Sequence, residues 1–103
     1  MFKLPSPIEK IELPILKEKN ITLYIKRDDL INSNISGNKW RKLKFNVEKF
    51  KQKKYDSLLT FGGAYSNHIS AVAAAGSYLG INTIGIIRGD ELNKDSNETL
   101  RKA

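Results

Sequence analysis

Two lysines in the stretch SGNKWRKLK have the residue type and the spacing that chemistry by an amine requires. Ser36 or Asn38 can cap a helix here, which places Lys39 in the first helical turn. The positive end of the helix dipole disfavours a charged ammonium there, and the neutral amine is the form that attacks a carbonyl carbon. Lys42 lies one turn later on the same face and can bind a phosphate. Two ordinary surface lysines are the alternative reading.

A second loop, in the stretch FGGAYSNH, joins an apolar segment to an alanine-rich one. Gly62 and Gly63 allow a close approach of the backbone, and residues 66–68 present N–H groups at a helix N-terminus. Such an end suits an anion, either a carboxylate or a phosphate. The alternative is that the glycines only make a tight turn and that Ser66 only caps the helix. The spacing matches neither a dinucleotide fingerprint nor a P-loop.

The remaining candidate residues carry weaker signals. His68 is the only histidine and the chain has no cysteine, so no metal site is predicted and we expect His68 to pack or cap at its loop. Asp28 and Asp29 could form a carboxylate pair, but helix caps or loop hydrogen bonds are the simpler interpretation.

Positive charge is concentrated in residues 39–54, which hold eight basic side chains and one acidic one. This segment alone accounts for the net charge of +7 of the 103-residue chain. Apolar residues recur in it with the spacing of one helical face: Trp40, Leu43, Val47 and Phe50. We predict a surface helix that buries this stripe and leaves Arg41 and Lys44 in solvent. A basic helix on nucleic acid is the alternative, but no recognised motif supports it, and no nucleic-acid partner is predicted.

The pattern of apolar residues alternates between strand and helix. It predicts an irregular segment over 1–20, a strand over 21–26, a helix over 38–53, a strand in YDSLLTFGG, a helix from Ser66 or Asn67 to Gly80, a strand in INTIGIIRG and a helix from about Ser96. This order indicates an α/β protein with a three-layer parallel sheet and βαβαβ connections. Ligands bind at the carboxyl ends of such strands, so we expect the SGNK and GGAYSN loops to share one site.

The two ends of the chain give further expectations. The last predicted helix would have about two turns by Ala103 and little to pack on, so we expect an N-terminal portion of a longer protein. No run approaches the roughly 18 apolar residues of a membrane helix, and the start MFKLPSPIEK lacks a signal-peptide core. We therefore expect a cytoplasmic protein without a membrane partner.

Three motifs in order carry a resemblance to a known family. KRDDL, SGNKWRKL and TFGGAYSNH, the last followed by an alanine-rich helix, resemble the 1-aminocyclopropane-1-carboxylate deaminase and D-cysteine desulfhydrase family. The resemblance runs from about Leu4 to Gly89. It implies a pyridoxal-phosphate enzyme of fold type II, like the tryptophan synthase β-subunit. Residues 21–103 would then be the α/β portion that bears the cofactor lysine, and the substrate and phosphate-loop regions would lie beyond it.

The resemblance assigns cofactor roles to four residues. Lys39 resembles the lysine that bonds covalently to pyridoxal 5'-phosphate and moves the substrate proton. Lys42 resembles a contact to the cofactor phosphate, and Asn38 supports the same loop. Asn67 resembles the asparagine that hydrogen-bonds the 3′-oxygen of the cofactor.

Substrate roles follow in the second loop. Ser66 resembles the serine near the reactive carbon of the substrate, where it would accept a proton or act as nucleophile. The backbone amides of Asn67, His68 and Ile69 would hold the substrate carboxylate.

The implied function is a deaminase or lyase that acts on a small amino acid and gives a 2-oxo acid and ammonia. Relatives suggest a homodimer for the full-length protein, and the 103-residue piece alone is expected to be inactive. A truncated, non-catalytic relative that serves as a folding or interaction unit is the alternative.

Overall fold

The computed structural model describes residues 2–35 and 37–103, so the predicted cap at Ser36 lies outside the described residues. The secondary structure elements follow in chain order: β1 (Ile8–Ile11), α1 (Pro14–Glu18), β2 (Leu23–Lys26), a 3-10 turn (Asp28–Leu30), α2 (Lys39–Lys53), β3 (Ser57–Gly63), α3 (Asn67–Leu79), β4 (Asn82–Arg88) and α4 (Glu98–Lys102).

Strands β3 and β4 pair in parallel and are joined by helix α3, as the sequence predicts. The register runs from Ser57 opposite Asn82 to Gly63 opposite Arg88. Ser66 caps the start of α3, and Gly80 ends it with a φ of 66°, a left-handed conformation that glycine adopts without strain. The α/β class and the parallel pairing are therefore confirmed.

Helix α2 packs on α3 through the predicted apolar stripe. Leu43 and Val47 are buried, and Trp40 is half-buried with the ring of Phe2 stacked on it at 3.7 Å between centroids. The main cluster of buried residues joins the two helices to the segment before α2: Ile35, Leu43, Ala71, Val72 and Ala75. Burial of this stripe determines which side of α2 faces α3.

The N-terminal segment differs from the prediction. Residues 1–20 were expected to be irregular, but Ile8–Ile11 forms a strand that pairs antiparallel with Leu23–Lys26. Strand β2 therefore belongs to a separate two-stranded sheet and not to the parallel sheet, which has two strands within residues 2–35 and 37–103. The prolines do not prevent this pairing, because Pro7 precedes β1 and Pro14 occupies the first turn of α1, where no N–H is needed.

Glycines let α3 approach the parallel strands closely. A Cβ atom added at Gly76 would lie 2.8 Å from the carbonyl oxygen of Ile81 and would clash with the side chain of Thr83. At Gly62 it would lie 2.5 Å from Cγ1 of Ile69 and 2.9 Å from Oγ of Ser66. The start of α3 therefore sits directly against the end of β3.

We predict that Gly76→Ala lowers the free energy of unfolding by about 1–3 kcal/mol, because the added methyl group overpacks the contact between α3 and β4. Urea denaturation measures the change. Ser77→Ala is the matched control, since Ser77 is the exposed neighbour in the same helix. Equal stability of the two variants would contradict the close approach.

Candidate functional site

The first turn of α2 carries both lysines that the sequence singles out. Lys39 begins the helix and is half-buried, whereas Lys42 is exposed. Asn38 occupies the cap position, and its carbonyl accepts a hydrogen bond of 3.3 Å from the N–H of Lys42. The side chain of Asn38 makes no capping hydrogen bond, so it stays available for another partner.

The GGAYSN loop forms a tight turn that leads into α3. The N–H of Ser66 donates to the carbonyl of Gly63 at 3.1 Å, and the Ser66 hydroxyl accepts from the N–H of Ile69 at 3.2 Å. The amides of Asn67 and His68 also belong to the first turn, where helical geometry provides no carbonyl partner. Asn67 and His68 therefore offer the better donors for an anion, while the N–H of Ile69 already serves the cap.

His68 reports that the two loops lie side by side. Its pKa is lowered from the ordinary 6.5, first by burial and then by the positive charges of Lys39 and Lys42. Charge effects of this kind fall off with distance, so Lys39 and Lys42 lie within electrostatic range of the imidazole. Helices α2 and α3 share one buried cluster, which joins Leu43 to Ala71 and Val72, so the start of α2 lies on the same side of the molecule as α3. The reason differs from the prediction, because the SGNK loop follows β2 of the separate antiparallel sheet and not a strand of the parallel sheet.

The electrostatics of this place favour an anion. The charges of Lys39 and Lys42 act on His68, which lies in the first turn of α3, where the helix dipole is positive. The two lysines, one of which can react as an amine, and the first amides of α3 are together a donor set that fits a phosphorylated carbonyl compound. Across residues 2–35 and 37–103, no group of three or more histidine, cysteine, aspartate or glutamate side chains is arranged to bind a metal.

Sequence reasoning missed two residues at the edge of the site. Asn97 donates from Nδ2 to the carbonyl of Ala64 at 3.1 Å, and its Oδ1 caps α4. The sequence predicts a helix start near Ser96, and the capping residue is its neighbour Asn97. Arg88 pairs in register with Gly63, and its Nη2 lies 4.0 Å from where a Cβ of that glycine would stand. No spacing rule points to Arg88.

Two expectations about charged residues need correction. Arg41 is exposed, but it is not simply solvated, because its guanidinium binds Asp28. Asp28 and Asp29 make separate hydrogen bonds, to Arg41 and to Arg27, which agrees with the simpler interpretation of these residues and not with a carboxylate pair. Lys44, also expected in solvent, is half-buried, with its ammonium 4.5 Å from the centre of the Phe45 ring.

Within residues 2–35 and 37–103, no helix is long and apolar enough to cross a membrane.

Comparison with known proteins finds close relatives over most of the chain. It is 40% identical over 97 residues to a mitochondrial bifunctional D-cysteine desulfhydrase/1-aminocyclopropane-1-carboxylate deaminase of Arabidopsis thaliana, covering 94% of this chain and 24% of that protein. It is 39% identical over 80 residues to a putative 1-aminocyclopropane-1-carboxylate deaminase of Pyrococcus abyssi, covering 78% and 24%. It is 37% identical over 84 residues to a D-cysteine desulfhydrase of Salmonella newport, covering 81% and 25%.

A solved structure gives the same picture. The chain matches a crystal structure of an ACC deaminase homologue with a TM-score of 0.75 and 37% identity, covering 88% of this chain and 28% of that one. No protein-family model matches the chain. The chain spans about a quarter of the length of the curated relatives it matches.

We predict that the pKa of His68 lies below 6.5 and that Lys42→Gln raises it, because one nearby positive charge is removed. Since His68 is the only histidine, its ring protons can be followed by NMR as the pH changes. The imidazole of His68 binds a proton more tightly in the unfolded chain than in the folded one, because its pKa is lowered on folding. The free energy of unfolding should therefore fall as the pH drops from 6.5 through the lowered pKa. Lys53→Gln, at the far end of α2, is the control. An equal His68 pKa in both variants would place Lys42 away from His68.

Proposed function

The chain belongs to the 1-aminocyclopropane-1-carboxylate deaminase and D-cysteine desulfhydrase family, and from this membership we propose a function for the whole protein. It is a pyridoxal-phosphate-dependent deaminase or lyase that converts a small amino acid into a 2-oxo acid and ammonia. The observation that carries the proposal is the packing of α2 on α3, with the charges of Lys39 and Lys42 acting on His68 at the start of α3. The relatives span about four times this length, so the activity is proposed for the full-length protein.

The residues at the two helix starts suit pyridoxal phosphate. When bound, this cofactor withdraws electrons from the substrate and so eases proton removal next to the amino group. Lys39 would hold it through a covalent bond and would move the substrate proton. Lys42 would contact its phosphate, Asn67 would hydrogen-bond its 3′-oxygen, and Asn38 would support this loop.

The substrate would lie over the start of α3. Its carboxylate suits the N–H groups of Asn67 and His68, because these groups form the positive end of the α3 dipole. The N–H of Ile69 would join them only when the Ser66 hydroxyl turns toward the substrate, since the two are now bonded. Ser66 would then stand next to the reactive carbon as proton acceptor or nucleophile.

The names of the relatives support two small amino acids as candidate substrates. The Arabidopsis relative is named for both D-cysteine and 1-aminocyclopropane-1-carboxylate, the Pyrococcus relatives for the second, and the Salmonella relatives for the first. We propose that this protein acts on one or both of them. An assay of 2-oxo acid release from each compound decides between them.

We predict that Lys39→Ala abolishes covalent binding of pyridoxal phosphate by the full-length protein, because the bonding amine is gone. Visible absorbance of the bound cofactor, and peptide mapping after borohydride reduction, measure this. Lys49→Ala removes an exposed lysine from the same helix and should leave the absorbance intact. Unchanged absorbance in Lys39→Ala would overturn the proposal.

We predict that the capping and chemical roles of Ser66 can be separated by two substitutions. Ser66→Ala should lower the free energy of unfolding by about 1 kcal/mol, whereas Ser66→Asn should keep the cap. Both should lower kcat by about a hundredfold or more, because neither has a hydroxyl to exchange protons. Full activity of Ser66→Asn would leave Ser66 with a structural role alone.

A further inference from the structure

A bidentate ion pair links the first turn of α2 to the 3-10 turn after β2. The guanidinium of Arg41 donates from Nε to Oδ2 of Asp28 at 2.6 Å and from Nη2 to Oδ1 at 2.9 Å. This fork-to-carboxylate geometry fixes direction as well as distance, because both groups are planar and both bonds must align.

A buried serine completes the ion pair. Ser6 is 3% exposed, and its hydroxyl donates to Oδ1 of Asp28 at 2.6 Å while it accepts from Nη2 of Arg41 at 3.1 Å. The ammonium of Lys26 donates to the backbone carbonyl of Ser6. The end of β2, the N-terminal segment and α2 therefore meet at this one cluster, which we call the Asp28 anchor (Ser6, Lys26, Asp28 and Arg41).

The anchor keeps its charge at neutral pH. Hydrogen bonds from Arg41 and Ser6 hold the pKa of Asp28 at about 2, below its ordinary 3.8. Because the folded pKa is the lower one, the anchor loses its stabilising effect only as the pH falls from about 4 toward 2. The ion pair between Asp28 and Arg41 is therefore intact at neutral pH.

Helix geometry places the anchor and the site on different sides of α2. With about 100° per residue, Arg41 points about 200° from Lys39, while Lys42 points about 60° from it. The Asp28 anchor thus holds the side of the first turn that faces away from His68. Trp40 and Leu43 lie on the side of α2 between Lys39 and Arg41, and they hold that side against the core. A helix held on these two sides cannot rotate about its axis without breaking one contact.

We propose that Asp28 and Arg41 are positioning residues, which orient the first turn of α2 so that the amine of Lys39 faces the start of α3. This proposal rests on the proposed function for the role of Lys39, but the orientation itself is a property of the protein without cofactor. Neither Asp28 nor Arg41 is placed at the reacting atoms. Their effect passes through the backbone of α2.

A neighbouring ion pair provides the matched control. Arg27 donates to Asp29 at 2.7 Å and to Glu9 at 2.8 Å, in the residues next to the anchor. These contacts join β1, the end of β2 and the 3-10 turn to one another and do not reach α2. Asp28→Asn and Asp29→Asn therefore remove the same charge, one residue apart, and only the first releases α2.

The experiment measures the His68 pKa by NMR in the cofactor-free full-length protein, and the dissociation constant for pyridoxal phosphate by absorbance. Asp28→Asn should raise the His68 pKa toward 6.5, because the ammonium groups of Lys39 and Lys42 move away from it. Loss of a carboxylate alone would shift this pKa downward, so the sign separates displacement from direct charge effects. The dissociation constant should rise about tenfold or more. Asp29→Asn should leave the dissociation constant unchanged and should not raise the His68 pKa, because it removes a carboxylate without releasing α2.

A conservative variant covers the case in which Asp28→Asn does not fold. Arg41→Lys keeps the charge but loses the planar fork, so it should shift both quantities in the same direction by a smaller amount. The folded variants could lose thermal stability while the His68 pKa and the dissociation constant stay at the wild-type values. In that case the anchor has only a structural role, and the proposal is overturned.

Failure of the proposed function would look different. In that case the wild-type protein would not bind pyridoxal phosphate through Lys39, as the Lys39→Ala comparison reports. The His68 pKa in Asp28→Asn and Arg41→Lys would still rise if the anchor orients α2. An unchanged His68 pKa would overturn the orientation itself.

Discussion

The close approach of helix α3 to strands β3 and β4 is the contact on which the rest of the site depends. Gly62 and Gly76 have no side chain where α3 crosses the strands, so Ser66 and Ile69 can rest on the end of β3. This places the positive end of α3 at the carboxyl end of the parallel pair. Helix α2 packs on α3 through the cluster that contains Leu43, Ala71 and Val72.

Electrostatics then divide the charges of α2 between two tasks. Lys39 and Lys42 stand near His68 and add positive charge to a place that two helix dipoles already make attractive to anions. Arg41, in the same turn, is bound to Asp28 on another side of the helix. A run that looks uniform in the sequence therefore contains two lysines whose charges act on His68 and an arginine that is held in an ion pair. The lysines at the far end of α2 belong to neither group.

Much of the local structure could be predicted from the sequence. The helix over 39–53, the parallel strands around α3, and the caps at Ser66 and Gly80 follow from periodicity and capping rules that act within a few residues. The pairing of Ile8–Ile11 with β2 could not be predicted, because Pro5, Pro7 and Pro14 interrupt the residue pattern around this strand of four residues. Arg41 was misread for a related reason: its partner lies thirteen residues earlier, beyond any helical spacing.

The sequence by itself determined that Lys39 stands in the first turn of a helix and that Ser66 begins another, because caps and helical periodicity are local. Only the tertiary structure decided that α2 packs on α3, that the Ile69 amide is taken by the Ser66 hydroxyl, and that Arg41 binds Asp28. These contacts depend on how α2 and α3 rotate as they bury Leu43 and Val72 together. Rotation of packed helices is set by the shape of the core, which no short stretch of residues specifies.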